Sequence, residues 1–355
     1  MKTLSEVRFG FIGAGQIAHY AAEAVLRHPD ARLVAIQDLS PDRLAVLQKK
    51  HSLQYAHDKV EDLLANKDVD AVYIAVPNKF HIPLTIQALE AGKHVLLEKP
   101  FAMNAEEAAR AVAIAEKSGL VLMLGMNQRF TADSQKIKQL VEQGVLGEVY
   151  HAKAYWFRRS GIPKLGTWFG NREVAGGGCL YDIGVHMLDL CLWTMNNFEP
   201  VSVSGATYTK FGNRGLGEGG WGLSDRVEAP FDVDDMGTAL IKFANGATVS
   251  LDTTWACHQA VGNREGVDLY GTEAGASLRP AKLFRGSAGL PATYEIIDDL
   301  KVALKMPHQE RFHNFINHLR GTEELCVTSH QALVVQRILD AIAESSRTGK
   351  EVRLA

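Results

Sequence analysis

Val7-Arg8-Phe9-Gly10-Phe11-Ile12-Gly13-Ala14-Gly15-Gln16-Ile17-Ala18 decides the first half of the chain: an apolar run, a turn with two glycines, then the start of an amphipathic stretch. In Gly13-x-Gly15-x-x-Ala18 the first glycine permits a tight turn and the second lets backbone approach a pyrophosphate. The small Ala18 allows helix and strand to pack closely. The helix that opens here, with Gln16 and Ile17 in its first turn, meets phosphate charge with unpaired N–H groups. The pattern gains specificity from its context: strand before, helix after, and an acidic residue further on.

That acidic residue is Asp38, at the end of the second apolar run. A carboxylate there accepts hydrogen bonds from the adenosine ribose hydroxyls and repels a 2′-phosphate, which favours NAD. Ser40 and Arg43 close by leave NADP open as a second cofactor. Apolar runs at 7–12, 33–36, 71–76, 94–97 and 121–124 alternate with amphipathic stretches at 17–27, 43–50, 83–91 and 105–117. Such alternation of apolar strands and helices predicts α/β architecture, a doubly wound parallel sheet covered on both faces. The expected dinucleotide-binding domain spans 1–126 and a second domain 127–355. In the second, a helix at 132–143 precedes strand candidates at 149–157, 201–209, 235–243, 248–255, 267–270 and 276–280, with closing helices at 311–319 and 331–345. Asn245-Gly246 between two alternating runs signals a hairpin. This half is expected to be α+β, built on a mostly antiparallel open sheet. The Gly-rich stretch 211–232, with Trp221 as its aromatic anchor, reads as a mobile loop and a candidate lid, or else as a surface insertion.

The chain has 355 residues, of which 46% are hydrophobic and 22% charged, enough for two packed cores. Lys and Arg total 38 against 41 Asp and Glu, with no basic tract, so nucleic acid and anionic membrane are excluded as principal partners. No 18-residue apolar run and no charged-then-apolar leader is present, and a cytoplasmic location is expected. The four cysteines lie far apart, which argues against a disulfide framework or a zinc knuckle. Cys179 and Cys191 read as small buried apolar residues rather than nucleophiles.

Two further segments carry chemistry. Glu98-Lys99-Pro100 follows an apolar strand, at the carboxyl edge where such sheets bind ligands. An ammonium at Lys99 there hydrogen-bonds a substrate oxygen and stabilises its developing negative charge. The proline after it admits a cis bond that aims the side chain. In Gly176-Gly177-Gly178-Cys179-Leu180-Tyr181-Asp182-Ile183-Gly184-Val185-His186, Asp182 and His186 stand at i and i+4 and share one helix face. Imidazole is the natural base for a hydroxyl proton near neutral pH, and a carboxylate beside it orients it or binds a second hydroxyl. A structural Asp–His pair is the competing reading. No further ligand sits at metal spacing, so no metal is expected.

Taken in order, Gly13-x-Gly15-x-x-Ala18, Pro77-Asn78-Lys79-Phe80-His81, Glu98-Lys99-Pro100 and Gly177-Gly178…Asp182-x-Gly184-x-His186-x-x-Asp189 resemble the family of glucose–fructose oxidoreductase, inositol dehydrogenase and rhizopine-catabolism proteins (Gfo/Idh/MocA). The resemblance extends to Gly349-Lys350-Glu351-Val352 near the end of the chain. It implies a Rossmann domain, followed by an α+β domain whose open sheet makes a homodimer or homotetramer. Lys99, Asp182 and His186 match the family's catalytic positions. Pro77, Asn78 and His81 match residues lining the cofactor, Glu98 falls near the nicotinamide ribose, and Asn127 and Arg129 lie where the chain leaves the Rossmann domain beside the nicotinamide. Tyr155, Arg158, Arg159 and Trp168 fall in the family's variable substrate-facing region.

The expected activity is NAD-dependent oxidation of a secondary alcohol on a sugar or cyclitol, with His186 taking the proton and Lys99 and Asp182 holding the oxygen. Arg129, Tyr155, Arg158 and Trp168 are the expected substrate contacts beside these three. One alternative is an NAD-dependent glycosidase that oxidises C3 transiently and then eliminates the aglycone. Another is a non-catalytic sensor of nucleotide or sugar.

Overall fold

The computed structural model describes residues 3–222, 230–287, 290–297 and 307–354. Its first sheet contains β1 (Val7–Ile12), β2 (Ala31–Gln37), β3 (Tyr55–His57), β4 (Ala71–Ile74), β5 (His94–Leu97) and β6 (Leu122–Leu124), all parallel, in the order β3-β2-β1-β4-β5-β6. Phe9, Phe11, Val72, Tyr73, Leu96 and Leu97 are fully buried, as strands covered on both faces require. The helices are α1 (Gln16–Leu26), α2 (Pro41–His51), α3 (Val60–Ala65), α4 (His81–Glu90) and α5 (Ala105–Ser118). Local chemistry sets their ends. Asn104 caps α5 by accepting from the Glu107 N–H at 2.9 Å, and Gly119, at φ 66°, closes it. The reversal of strand order between β1 and β4 makes the switch point at which such sheets take ligands. Three-residue β3 and six-residue α3 were absent from the sequence expectation, being too short for their periodicity to show.

The second sheet has nine strands: β7 (Val149–Phe157), β8 (Pro200–Tyr208), β9 (Met236–Phe243), β10 (Thr248–Thr254), β11 (Arg264–Gly271), β12 (Gly275–Leu278), β13 (Lys282–Ser287), β14 (Leu290–Ile297) and β15 (Val352–Arg353). Their order is β14-β13-β12-β11-β7-β10-β9-β8-β15, antiparallel throughout except for β7 beside β10. The β9–β10 hairpin turns at Asn245-Gly246, with Gly246 at φ 86°, a conformation glycine adopts without strain. Ala239, Ile241 and Phe243 on β9 and Val249 and Leu251 on β10 are buried, and they alternate with exposed or half-exposed neighbours. The buried face packs on α6 (Ala132–Glu142) and α8 (Val185–Thr194), with α7 (Arg172–Ala175) preceding α8. Two helices, α9 (Pro307–Leu319) and α10 (Ser329–Thr348), lie between β14 and β15 in the chain.

The chain divides into two compact units, Met1–Phe130 with Met306–Leu333 and Thr131–Lys305 with Val334–Ala355. This departs from the expected division, which gave everything after residue 126 to the second domain. The cause is α9, which packs on the first sheet: the Phe312 ring lies 5.0 Å from Tyr73, 6.2 Å from Phe9 and 6.5 Å from Phe11. Beside it, Arg311 Nη2 meets Glu98 Oε1 at 2.7 Å, and Nη1 donates to the Gly125 carbonyl at 3.1 Å. Tyr73 donates its hydroxyl to the same Glu98 oxygen at 2.5 Å. Burial alone would raise the Glu98 carboxyl, but the Arg311 charge and the Tyr73 hydrogen bond outweigh it and pull it down to about 2.

Because this folded value lies below the ordinary 4.5, the pair's contribution to stability is complete above about pH 4.5 and fades as pH falls towards 2. Arg311→Met leaves a buried carboxylate unpaired and is expected to cost about 3–5 kcal/mol in denaturant unfolding at neutral pH. Adding Glu98→Gln should recover part of that loss, and the gap to wild type should narrow as pH drops from 4.5 towards 2.

Candidate active site

At the head of α1, Gly13 has φ 101°, and a side chain there would collide with the Ala75 carbonyl oxygen. Its N–H donates to the Gln37 carbonyl at 2.8 Å, which ties the turn to β2. Gly15 is the cap of α1 and offers its first turn no side-chain acceptor. A Cβ on Gly15 would meet nothing within 4 Å, so the amide groups leading into Gln16 and Ile17 have room for a pyrophosphate. Asp38 accepts from the Ala14 N–H at 2.7 Å through Oδ2 and from the Ser40 N–H at 2.8 Å through Oδ1. Each carboxylate oxygen carries two lone pairs, so acceptor capacity remains for ribose hydroxyls. Arg43 is exposed on α2, its backbone N–H directed to Ser40 Oγ. Uncapped helix, bare glycine and carboxylate together fit a dinucleotide.

Further along the same edge, several expected cofactor contacts are committed to the protein. Pro77 leads into a short turn, Asn78–Phe80, and Asn78 is buried. His81, 1% exposed, has Nδ1 2.8 Å from the Pro100 carbonyl and Nε2 2.9 Å from the Val76 carbonyl. It clasps the chain after β4 to the chain after β5. Burial lowers its pKa, and a neutral ring donates to only one of the two carbonyls. Glu98 is taken by Arg311 and Tyr73, and its Oε2 accepts the Lys99 N–H at 3.3 Å. Lys99 is half-buried, and its bond to Pro100 is cis. Asn127 is buried after β6. Arg129, expected to touch substrate, is instead fully buried; Nη1 donates to the Cys326 carbonyl at 2.8 Å and to Gln331 Oε1 at 2.6 Å.

In the second unit, Leu180–Gly184 forms a single π-turn that runs into α8. Asp182 and His186 therefore stand on a widened turn rather than on the regular helix the i, i+4 spacing predicts. Both are about nine-tenths buried. The turn is held at its start by Asp234, which lies between β8 and β9. Its carboxylate accepts the Gly178 N–H at 2.8 Å and the Leu180 N–H at 3.0 Å. A side chain at Gly178 would run into the Asp234 backbone carbonyl. The Cys179 thiol lies 3.2 Å from the same carboxylate, and burial pushes its pKa well up, so it is no nucleophile. Asp182 Oδ2 accepts from Trp255 Nε1 at 2.9 Å. The Trp156 ring stands 6.3 Å from the His186 ring.

Strand parity decides the variable region. Trp156 faces His186, so its neighbour Tyr155, expected at the substrate, points to the other face of the sheet, where the Arg264 guanidinium lies 5.6 Å from its ring. The Arg158 guanidinium stands 4.8 Å from the Trp156 ring and 5.8 Å from Trp221. Trp168 stacks on Phe169 at 3.9 Å, and Phe169 meets Trp221 edge-on at 5.3 Å. Arg159 is exposed and donates to the Ala260 carbonyl at 2.8 Å. The first part of the expected mobile loop is pinned: the Gly161 and Ile162 N–H groups donate to the Gly217 carbonyl at 3.0 and 2.9 Å, and Trp221 Nε1 donates to the Gly161 carbonyl at 3.0 Å. The rest of that expectation, 223–229, lies outside the described residues. Trp156, Asp234, Trp255 and Arg311 were missed in the sequence. Only the acidic pair Asp234-Asp235 gave a sign there, and it marks no partner.

Residues 7–126 match the profile of an oxidoreductase family with an NAD-binding Rossmann fold, and residues 134–277 match the GFO/IDH/MocA C-terminal domain. The chain belongs to this family. It is 34% identical to the D-glucoside 3-dehydrogenase of Escherichia coli K12 over 99% of both chains. The levoglucosan dehydrogenase of Pseudarthrobacter phenanthrenivorans is 27% identical over 85% of this chain and 76% of that one. A solved levoglucosan dehydrogenase, in complex with NADH and L-sorbose, superposes with a TM-score of 0.86 over 99% of this chain and 100% of the other at 21% identity, which shows the shared fold. This Gfo/Idh/MocA member is thus an NAD-dependent oxidoreductase of the sugar- and polyol-acting kind. Among the described residues no helix is long and apolar enough to cross a membrane. We propose Asp38 as the carboxylate that discriminates against a 2′-phosphate: Asp38→Ser is expected to raise the NADP-to-NAD ratio of kcat/KM by at least about tenfold, the effect of one lost charge repulsion.

Proposed function

We propose that this enzyme oxidises a secondary ring hydroxyl of a glucoside or closely related pyranose, with C3 the first position to test, and reduces the matching ketone in reverse. The end-to-end similarity to a D-glucoside 3-dehydrogenase carries this reading. The buried turn that presents Asp182 and His186 supports it. NAD, when bound, supplies the hydride acceptor. His186 takes the hydroxyl proton as general base. The Lys99 ammonium donates to the same oxygen and stabilises the charge that develops on it. Asp182 receives a hydrogen bond from the reacting or the adjacent hydroxyl and holds the ring in place. Arg158 and Trp168 offer planar donors and a ring edge to a polyhydroxy ligand.

His186→Ala and Lys99→Ala are each expected to lower turnover at least about a hundredfold, with NAD affinity of His186→Ala unchanged by fluorescence titration. Wild-type turnover in a folded double variant removes the assignment. The substrate is tested at the reduced-nicotinamide absorbance band with alkyl and aryl glucosides, free glucose, levoglucosan and inositols, NAD and NADP in parallel. A rise with glucosides is expected, and a rise confined to inositols moves the enzyme to a cyclitol. Aglycone release from an aryl glucoside without added cofactor replaces the dehydrogenase by the redox-assisted glycosidase. NAD binding with silence across the panel favours a sensor.

The open face of the nine-stranded sheet is proposed as the contact with a second copy. It presents Tyr208, 41% exposed, and Leu240, 43% exposed, on neighbouring strands. Light scattering is expected to give a dimer or tetramer, which Leu240→Asp shifts towards monomer.

A further inference from the structure

We infer that Trp255 is a positioning residue for catalysis, whose indole N–H fixes the orientation of the Asp182 carboxylate; this rests on the role given to Asp182 above. Trp255 follows the last residue of β10 and is fully buried, packed with Ile162, Cys179, Ile183, Val233 and Ala256. Its backbone N–H donates to the Asp235 carbonyl at 2.9 Å, and its Nε1 donates to Asp182 Oδ2 at 2.9 Å. One residue before Asp235, the Asp234 carboxylate holds the Gly178 and Leu180 N–H groups at the start of the turn. The backbone that carries Asp182 and the carboxylate itself are therefore set from one short segment, 234–235, by two routes.

The second route is needed because the terminal torsion of an aspartate is soft, with no staggered well to hold it. Packing of the turn fixes where Asp182 begins but not how its two oxygens are rotated. An indole N–H only donates, so it selects a carboxylate oxygen as its acceptor, and its ring is too tightly enclosed to follow if the carboxylate swings. A donor held in this way keeps the carboxylate in one rotation before substrate arrives, which is how preorganised hydrogen-bonding sites gain rate.

The test is a double-mutant cycle. Trp255→Phe keeps an aromatic ring in the cluster and removes the donor; replacement of Trp255 by benzothienylalanine keeps the shape as well, and covers the case in which the phenylalanine variant does not fold. Either is expected to lower kcat about 10- to 100-fold, the range for losing a hydrogen bond to a charged group, with the Kd for NAD unchanged. In an Asp182→Ala background, where the indole N–H has lost its acceptor, the same replacement should change kcat less than about threefold. An equal loss in both backgrounds would show that the indole acts through general packing and would overturn the inference. Full activity in the benzothienyl variant, alongside a crippled Asp182→Ala enzyme, would overturn it while leaving the Asp182 assignment standing. Wild-type turnover in Asp182→Ala would remove that assignment, and the role of Trp255 with it.

Discussion

One buried guanidinium organises the carboxyl edge of the first sheet. Arg311 reaches the Tyr73 hydroxyl on β4, the Glu98 carboxylate after β5 and the Gly125 carbonyl after β6, so three successive strand ends share one partner. Such a pair is weak evidence for net stability, because desolvating two charges costs about as much as their attraction returns. What it does supply is registry. Three strand ends are held in fixed relation, and Lys99 lies just beyond one of them. His81 adds a second tie between the segments after β4 and β5. The lysine thus inherits a position that neighbouring polar side chains have already determined.

The second unit uses a different route to a similar end. Asp234 and Asp235 sit side by side, and each satisfies main-chain donors of a separate turn. Asp235 Oδ2 accepts from Lys210, Phe211 and Gly212, while Asp234 takes Gly178 and Leu180. Buried backbone N–H groups need partners, and the leading N–H groups of a helical turn find none within it. Two adjacent carboxylates of β9's leading edge meet that need for both turns. The close approach this requires leaves no volume for a side chain at Gly178. Here the glycine-rich stretch serves the protein's own carboxylate, whereas at Gly13 and Gly15 glycine leaves space for a ligand.

Much of this was legible in the chain. Strands buried on both faces are continuous apolar runs, so β1, β4 and β5 announce themselves, and Asn245-Gly246 announces its hairpin. The amphipathic pattern of α9 shows that it packs on something but carries no record of which sheet. Glu98 and His81 stand inside cofactor-type motifs, yet pairing is a property of three-dimensional neighbours: Glu98 meets Tyr73 and Arg311, and His81 bridges the Val76 and Pro100 carbonyls. Tyr155 and Trp156 differ by one position in a strand, and only the register says which faces His186. The π-turn at Leu180–Gly184 was invisible as well: its Asp and His keep the spacing of a regular helix, and the Asp234 carboxylate that holds its start lies more than fifty residues away.

On the proposed roles, these placements also separate rate from choice of substrate. Lys99, Asp182 and His186 follow or lie within segments fixed by buried polar contacts, so changes there disturb many partners at once. Arg158, Trp168 and Trp221 are half-buried, and Trp156 and Phe169 link them through ring and guanidinium contacts, with Trp221 also tied to the Gly161 carbonyl. Ring and guanidinium contacts are broad and tolerate exchange of one flat group for another, where a buried carboxylate does not. On the roles proposed above, substitutions at 156–168 and 221 are the ones that would alter the sugar accepted while the acid–base groups stay in place.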